Sequence, residues 1–189
     1  MLKKNARKKY DEKRRELSYS DKLKWDDLIL INFQTLETPQ LHAVFSFYPM
    51  EERNEVNAFI ITDYLHFRNP TLQICYPKMA IDEPNMEAMA CHADTIFEAN
   101  DINILEPLEA EIVEPEDLDM VLVPMLICDI KGNRVGFGKG YYDRYLSRCR
   151  PDCLKVGLSY FAPIEQVEDA NEFDVPLDFC ITPEKVYVF

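Results

Sequence analysis

The sequence predicts an α/β fold: a layered α/β domain with a mostly parallel central sheet flanked by helices. Three observations predict it. Apolar runs of strand length recur at 41–48, 71–77, 119–129, 153–160 and 177–182. Helix-like segments separate several of them, the alternation that builds parallel sheets. The run "DMVLVPMLICD" is apolar at both alternating sets of positions, as strands covered by helices on two sides are. A chain of 189 residues, 47% hydrophobic and 12% aromatic, fills one core, so residues 1–189 are read as a single domain.

The elements follow in order. Residues 1–17 and 20–36 read as two helices split by "SYSD", where Ser18 or Ser20 caps the second. "LHAVFSFY" is a strand, and a helix is expected from Glu55 to Phe67 after a polar turn. "TLQICYP" is a second strand, stopped by Pro77. Residues 79–100 are acidic and fit neither pattern; "INILEP" reads as a short strand and "PEDL" as a helical turn. The central strand 119–129 leads to a helix over 139–149, then strands at "CLKVGLSY" and "LDFCIT".

Charge and cysteine usage narrow the class. The formal net charge is −13, yet the first 15 residues hold eight of the 21 basic side chains: Lys3, Lys4, Arg7, Lys8, Lys9, Lys13, Arg14 and Arg15. An acidic body argues against nucleic acid as a partner, because phosphate-backbone binding is dominated by the electrostatic term. No run of about 18 apolar residues exists and the N-terminus is charged throughout, so neither a membrane span nor a signal peptide is expected, and the chain is expected to be cytoplasmic. The six cysteines (Cys75, Cys91, Cys128, Cys149, Cys153, Cys180) form no C-x-x-C pair and are expected to be reduced and mostly buried.

The stretch "VLVPMLICDIKGNRVGFGKGYYDRYL" contains four of the five glycines. Gly132 and Asn133 have turn chemistry and are read as a hairpin. Gly136, Gly138 and Gly140 alternate with Phe137 and Lys139 ahead of a helix, a composition that exposes backbone N–H groups to an anion. The spacing is neither G-x-x-x-x-G-K-[ST] nor G-x-G-x-x-G. Asp143 fits two roles equally: complementing the helix dipole, or holding a divalent cation beside phosphate. At helical spacing Lys3, Arg7 and Arg14 share one face with Tyr10, either a solvated stripe or a source of cationic charge for that loop.

"LVPMLICDIKGNRVGFGKGYYDRYL" resembles the signature of the 5-formyltetrahydrofolate cyclo-ligase (5,10-methenyltetrahydrofolate synthetase) family. Weaker matches follow in the family's order: "KKNARKKYDEKRRELS", "FSFYPMEERNEV", "ILEP" and "FDVPLDFCIT". The resemblance implies ATP- and Mg²⁺-dependent closure of 5-formyltetrahydrofolate to 5,10-methenyltetrahydrofolate, with ADP and phosphate released after phosphorylation of the formyl oxygen. It implies ATP contacts from Lys3, Arg7 and the loop Arg134, Val135, Gly136, Phe137, Gly138, Lys139, Gly140, Tyr141 and Tyr142. Lys139 and Arg134 take catalytic roles. Glu55, Tyr48 and Met50, with loop residues 137–141, bind the folate, whether or not it is polyglutamylated. Asp143 and Asp178 hold Mg²⁺, Lys78 is a further candidate, and a monomer is expected. Met125 and Cys128 depart from the family's glycine and aromatic residue, and two extra residues in "PMEERNEV" shift the Tyr48 and Met50 assignments. The alternatives are a catalytically silent nucleotide-binding paralogue, or a sugar-phosphate isomerase or CoA-transferase-like enzyme of similar architecture.

Overall fold

The computed structural model describes residues 1–80, 85–101 and 104–189. Helix α1 (Lys3–Arg15) and helix α2 (Tyr19–Phe33) open the chain. Ser18 is the cap and Ser20 lies inside α2; the Ser18 Oγ accepts from the Asp21 N–H at 3.1 Å. Strand β1 (Ala43–Phe45) and helix α3 (Phe59–Arg68) follow, then β2 (Gln73–Met79), β3 (Met86–Cys91), β4 (Phe97–Ala99), β5 (Leu105–Pro107) and β6 (Glu111–Val113). After β7 (Met120–Pro124), β8 (Ile127–Cys128) and β9 (Arg134–Val135) come helix α4 (Tyr141–Leu146), β10 (Leu154–Leu158), β11 (Phe179–Ile181) and β12 (Val186–Val188).

Eight strands form one sheet in the order β12-β11-β10-β7-β1-β2-β3-β6. The five central strands are parallel, and β12, β3 and β6 pair antiparallel at the two edges. Alternate residues of each strand point to opposite faces, so both faces must be covered. On one face Val44, Leu122, Val156, Leu158 and Ile181 pack with Ile29, Phe33, Ile61 and Leu65 of α2 and α3. On the other, Phe45, Val121, Val123 and Cys180 pack with Tyr145 and Leu146 of α4. A smaller cluster of Ala6, Tyr10, Leu126, Ile127, Val135 and Val167 docks α1 beside the β8–β9 hairpin.

Several boundaries differ from expectation for physical reasons. The run 41–48 yields only three strand residues, and the helix expected from Glu55 begins at Phe59. Glu55 is turned inward, 2% exposed, and accepts from the Met50 N–H, while Asn57 Oδ1 accepts from the Phe59 N–H in an Asx turn ahead of α3. Pro77 does not stop β2, which continues to Met79; register with β1 ends at Cys75, so the missing N–H faces no partner on that side. The run 119–129 breaks at Pro124 into β7 and β8, and the helix expected over 139–149 shortens to Tyr141–Leu146. The acidic stretch forms β3 and β4, residues 81–84 lying outside the described part; "INILEP" gives β5, with residues 102 and 103 likewise outside it. Strands β6 and β12, three residues each, have no counterpart in the sequence reading.

Gly132 and Asn133 do form the turn of a hairpin, with Gly132 at φ 80°. Asp129 is its organiser: fully buried, it accepts from the N–H groups of Lys131, Asn133 and Val167 at 2.9, 3.0 and 2.9 Å. Burial pushes its carboxyl upward, but these bonds and the Asn133 amide outweigh that and hold its pKa below the usual aspartate value. A carboxyl depressed in the folded state contributes stability above its unfolded pKa and loses it as pH falls through the folded value. Asp129→Ala is therefore expected to cost about 2 kcal/mol or more near neutral pH and clearly less in acid. Urea unfolding at the two pH values checks this.

Candidate active site

A cavity of about 520 Å³ opens at the carboxyl ends of the parallel strands, the edge where open α/β sheets gather ligands. The segment after β1 supplies Tyr48, Met50, Arg53 and Glu55; Pro124 ends β7; Arg134 and Gly136 to Asp143 form one wall; Lys3 and Arg7 reach in from α1. The cavity is thus assembled from parts of the chain up to 171 residues apart, as the Lys3–Asp174 contact illustrates.

The glycine wall is shaped by α1. Arg7 Nε donates to the Gly136 carbonyl at 2.9 Å. Gly138 has φ 91°, a conformation that favours glycine, and a Cβ there would lie 3.0 Å from Arg7 Cζ, so the guanidinium would have to give way. Gly136 differs: a Cβ on it would meet nothing within 4 Å. Gly140 starts α4 in the left-handed region at φ 72°. With only six residues, α4 supplies little of the axial dipole that the sequence reading placed behind the loop. Two guanidiniums lie over the Phe137 ring, Arg53 Cζ at 4.8 Å and Arg14 Cζ at 5.6 Å from its centre. Val135 is wholly buried and faces the α1 cluster, while Tyr142 stacks on Phe45 with ring centres 6.3 Å apart.

Arg134 is 7% exposed and fully engaged: Nη1 donates to the Val175 carbonyl and Nη2 to Asp143 Oδ1 at 2.5 Å. Asp143 Oδ1 also accepts from the Val175 N–H at 3.2 Å. Arg134 and Asp143 therefore clamp the 171–175 segment against the glycine wall, a role that neither the metal nor the dipole alternative contained. That segment carries Asp174, whose carboxylate meets Lys3 Nζ at 2.6 Å, each side chain 13% exposed, and lines the cavity. Lys139 lies exposed at the mouth, its carbonyl accepting from Arg144. Among the described residues Lys139 enters no ion pair.

Three of the expected positions are not brought to the cavity: Val135, which faces the α1 cluster, Asp178 and Lys78. Asp178 sits at the start of β11, at the opposite, amino end of the parallel strands, where it accepts from Lys155 N–H at 2.7 Å and meets Lys155 Nζ at 2.9 Å. It cannot join Asp143; of the two aspartates in "FDVPLD", Asp174 is the one at the site. Lys78 donates to the Leu108 carbonyl and does not line the cavity. Sequence reasoning does not find Asp174 or Arg53. Their only sequence signal is position: Asp174 lies four residues before Asp178 in the matching segment, and Arg53 two before Glu55.

The folate side of the expectation is apolar and deep. Tyr48 joins Phe59, Tyr76 and Phe97 in an aromatic wall, with ring centres 4.9, 6.2 and 5.5 Å from its own. Met50 gives its N–H to Glu55 Oε2 at 2.9 Å. Burial raises the Glu55 pKa, opposed by that N–H and by Arg14, Arg53 and Lys22. The two departures from the motif are absorbed locally. Cys128 is wholly buried in the α4-side core, and Met125 occupies the space that Gly157 leaves bare, where a Cβ would come 2.7 Å from its Cε. All six cysteines are free.

No group of three or more His, Cys, Asp or Glu placed to hold a metal occurs among the described residues. Asp143 and Asp174 still present carboxylate oxygens to one cavity that also holds cations. That donor set fits Mg²⁺, which takes one or two carboxylates and completes its shell from phosphate and water.

Fold and cavity together define a layered α/β domain that sets a cationic glycine loop and a buried acid around one ligand-sized space. The chain belongs to the 5-formyltetrahydrofolate cyclo-ligase family, whose model matches residues 2–183. The 5-formyltetrahydrofolate cyclo-ligase of Mycoplasma pneumoniae is 30% identical over 187 residues, 96% of this chain and 99% of that protein. The Mycoplasma genitalium cyclo-ligase is 39% identical over 69 residues, a match that spans 36% of this chain and only 42% of that relative. The NMR structure of Aquifex aeolicus 5,10-methenyltetrahydrofolate synthetase superposes with a TM-score of 0.81 at 30% identity, covering 100% of this chain and 93% of that one. Among the described residues no helix is long and apolar enough to cross a membrane.

Proposed function

We propose that this chain closes 5-formyltetrahydrofolate to 5,10-methenyltetrahydrofolate with conversion of ATP to ADP and phosphate. The observation that carries the proposal is that one cavity joins the glycine wall and its cations to the buried carboxyl of Glu55. A formamide oxygen is a poor leaving group. Transfer of the γ-phosphoryl group to it breaks the bond to ADP and forms an O–P bond. The N10 amine then attacks the formyl carbon, the C–O bond breaks, phosphate leaves with that oxygen, and the N10 proton is released.

Phosphoryl transfer asks a protein for positioning and charge stabilisation more than for a nucleophile. The residues suit that demand. Lys3, Arg7 and Lys139 supply cationic charge at the glycine wall, and the open space at Gly136 lets an anion approach backbone N–H groups. Arg134 contributes by holding Asp143 and the Val175 backbone in place. Asp143 and Asp174 would hold Mg²⁺, which would supply positive charge against the phosphates when bound. Glu55 offers a carboxylate oxygen to the N–H groups of the pterin ring, beside Tyr48, which Phe59, Tyr76 and Phe97 support from behind the cavity.

The direct test is the absorbance of methenyltetrahydrofolate formed from 5-formyltetrahydrofolate with and without ATP; no ATP-dependent product would refute the proposal. Two variants separate the subsites. Glu55→Gln is expected to weaken folate binding roughly tenfold or more with ATP affinity retained, since the variant removes a hydrogen bond to a charged group. Asp143→Asn is expected to raise the Mg²⁺ requirement; parental Mg²⁺ dependence would leave Asp143 as the clamp partner of Arg134 alone.

A further inference from the structure

Beneath the folate side of the cavity lies a pair of buried charges that do not touch. Arg14, on the inner face of α1, is 3% exposed and Glu55 is 2% exposed. Arg14 Nη2 and Glu55 Oε1 are 3.9 Å apart, too far for a hydrogen bond. Arg14 Nη1 reaches only the Met125 carbonyl, at 3.4 Å. Arg14 Nε and Nη2 and Glu55 Oε1 are buried with no hydrogen-bond partner among the described residues. The other carboxylate oxygen, Oε2, is taken by the Met50 N–H. A salt bridge kept for stability alone would be expected to close to charge-assisted hydrogen-bond length, about 2.8 Å, because each unfilled buried charge is costly. Arg14 is held from two other sides: Asn54 Nδ2 donates to its carbonyl at 3.1 Å, and its guanidinium packs over the Phe137 ring.

We propose that Arg14 is a positioning residue for Glu55, keeping it ionised and leaving Oε1 as the acceptor that a folate N–H fills. The proposal rests on the reading of Glu55 as the folate acid. Arg14 acts on the substrate only through Glu55, and through Phe137 it ties the orientation of that acid to the glycine wall.

The groups facing Glu55 from each packed element are Arg14 on α1, Lys22 on α2, Arg53 on the turn before it, Tyr142 on α4 and Tyr160 after β10; Tyr160 also bonds Asp26 of α2. Burial favours the protonated acid, and after the Met50 N–H, Arg14 is the foremost influence against it. Folate binding to the carboxylate is gained as pH rises through the Glu55 pKa. Loss of Arg14 must move that midpoint upward.

The test is calorimetric binding of 5-formyltetrahydrofolate between about pH 5 and about pH 8, a range that brackets a raised carboxyl. The ligand's own titration is common to all variants, so the displacement between variants is the readout. Arg14→Met is expected to move the midpoint up by about one pH unit and to lower affinity roughly tenfold on the acid side. Arg14→Gln gives the same displacement if the methionine variant does not fold, and Arg14→Lys restores most of the parental midpoint. Added to Glu55→Gln, Arg14→Met should displace nothing further. A parental midpoint in Arg14→Met or Arg14→Gln, with only stability lowered, overturns the proposal and leaves Arg14 as packing. Parental folate binding and pH profile in Glu55→Gln alone would instead remove the reading beneath it.

Discussion

Replacing Lys139 by alanine is expected to lower turnover about 100- to 1000-fold, the effect of removing one preorganised charge from a developing transition state, about 2.7 to 4 kcal/mol of barrier. The other cations around the glycine wall are already committed: Lys3 to Asp174, Arg7 to the Gly136 carbonyl and Arg134 to Asp143. Lys139 is exposed at the mouth and flanked by Gly138 and Gly140, so in the proposed reaction its ammonium would be able to follow charge from ATP to the formyl oxygen. Its side chain packs in none of the hydrophobic clusters, and thermal unfolding of Lys139→Ala should match the parent. Single-turnover measurement of methenyltetrahydrofolate formation at saturating ATP isolates the chemical step. Near-parental turnover in the folded variant would remove Lys139 from the mechanism.

Lys3→Ala combined with Arg7→Ala is expected to raise the ATP KM about 100-fold, on the basis of roughly tenfold for each charge-assisted bond to phosphate that the variant cannot make. Folate KM should change little, because Glu55, Tyr48 and Met50 come from the segment after β1. On the proposed function both cations would leave existing partners to meet phosphate. Lys3 would give up Asp174, freeing that carboxylate for a metal; Arg7 already lies against Gly138. Arg15→Ala serves as the control, since that side chain is 54% exposed and paired with Asp11 on the helix surface. An unchanged ATP constant in the double variant, measured by initial rates at saturating folate, would reduce the stripe to a brace between α1 and the rest of the molecule.

Much of this was legible in the sequence because it depends on local chemistry. The alternating glycines announced a wall of bare backbone, and the double-faced apolar run announced a strand covered on both sides. The basic stripe of α1 left two readings open, a solvated face or a docked one, and Lys3, Arg7 and Arg14 all turn inward. What stayed hidden depends on distant partners. Nothing in "FDVPLD" distinguishes Asp174 from Asp178; only the position of the strand start sends one to the cavity and the other to Lys155. Glu55 read as the first residue of a helix, since its burial is settled by Met50 on one side and Arg14 on the other. The pairing of Asp143 with Arg134 closes around a segment more than 30 residues downstream, and no helix-terminus rule could have offered it. Strands of three residues such as β6 and β12 are called into being by a neighbouring edge more than by their own composition.

The docking of α1 has a consequence for how the molecule is built. Its grip on the site consists of contacts that close very long loops: Lys3 with Asp174 across 171 positions, Arg7 with Gly136 across 129. Contacts of such sequence separation are slow to form, because the chain entropy of closure is lost before the contact rewards it. The first helix emerges from the ribosome long before the segments that receive it, and must wait, positively charged and with Ala6 and Tyr10 uncovered, while the sheet condenses. The catalytic cavity is therefore finished last, and turnover is a stricter witness to the completed native state than any spectrum of sheet or helix.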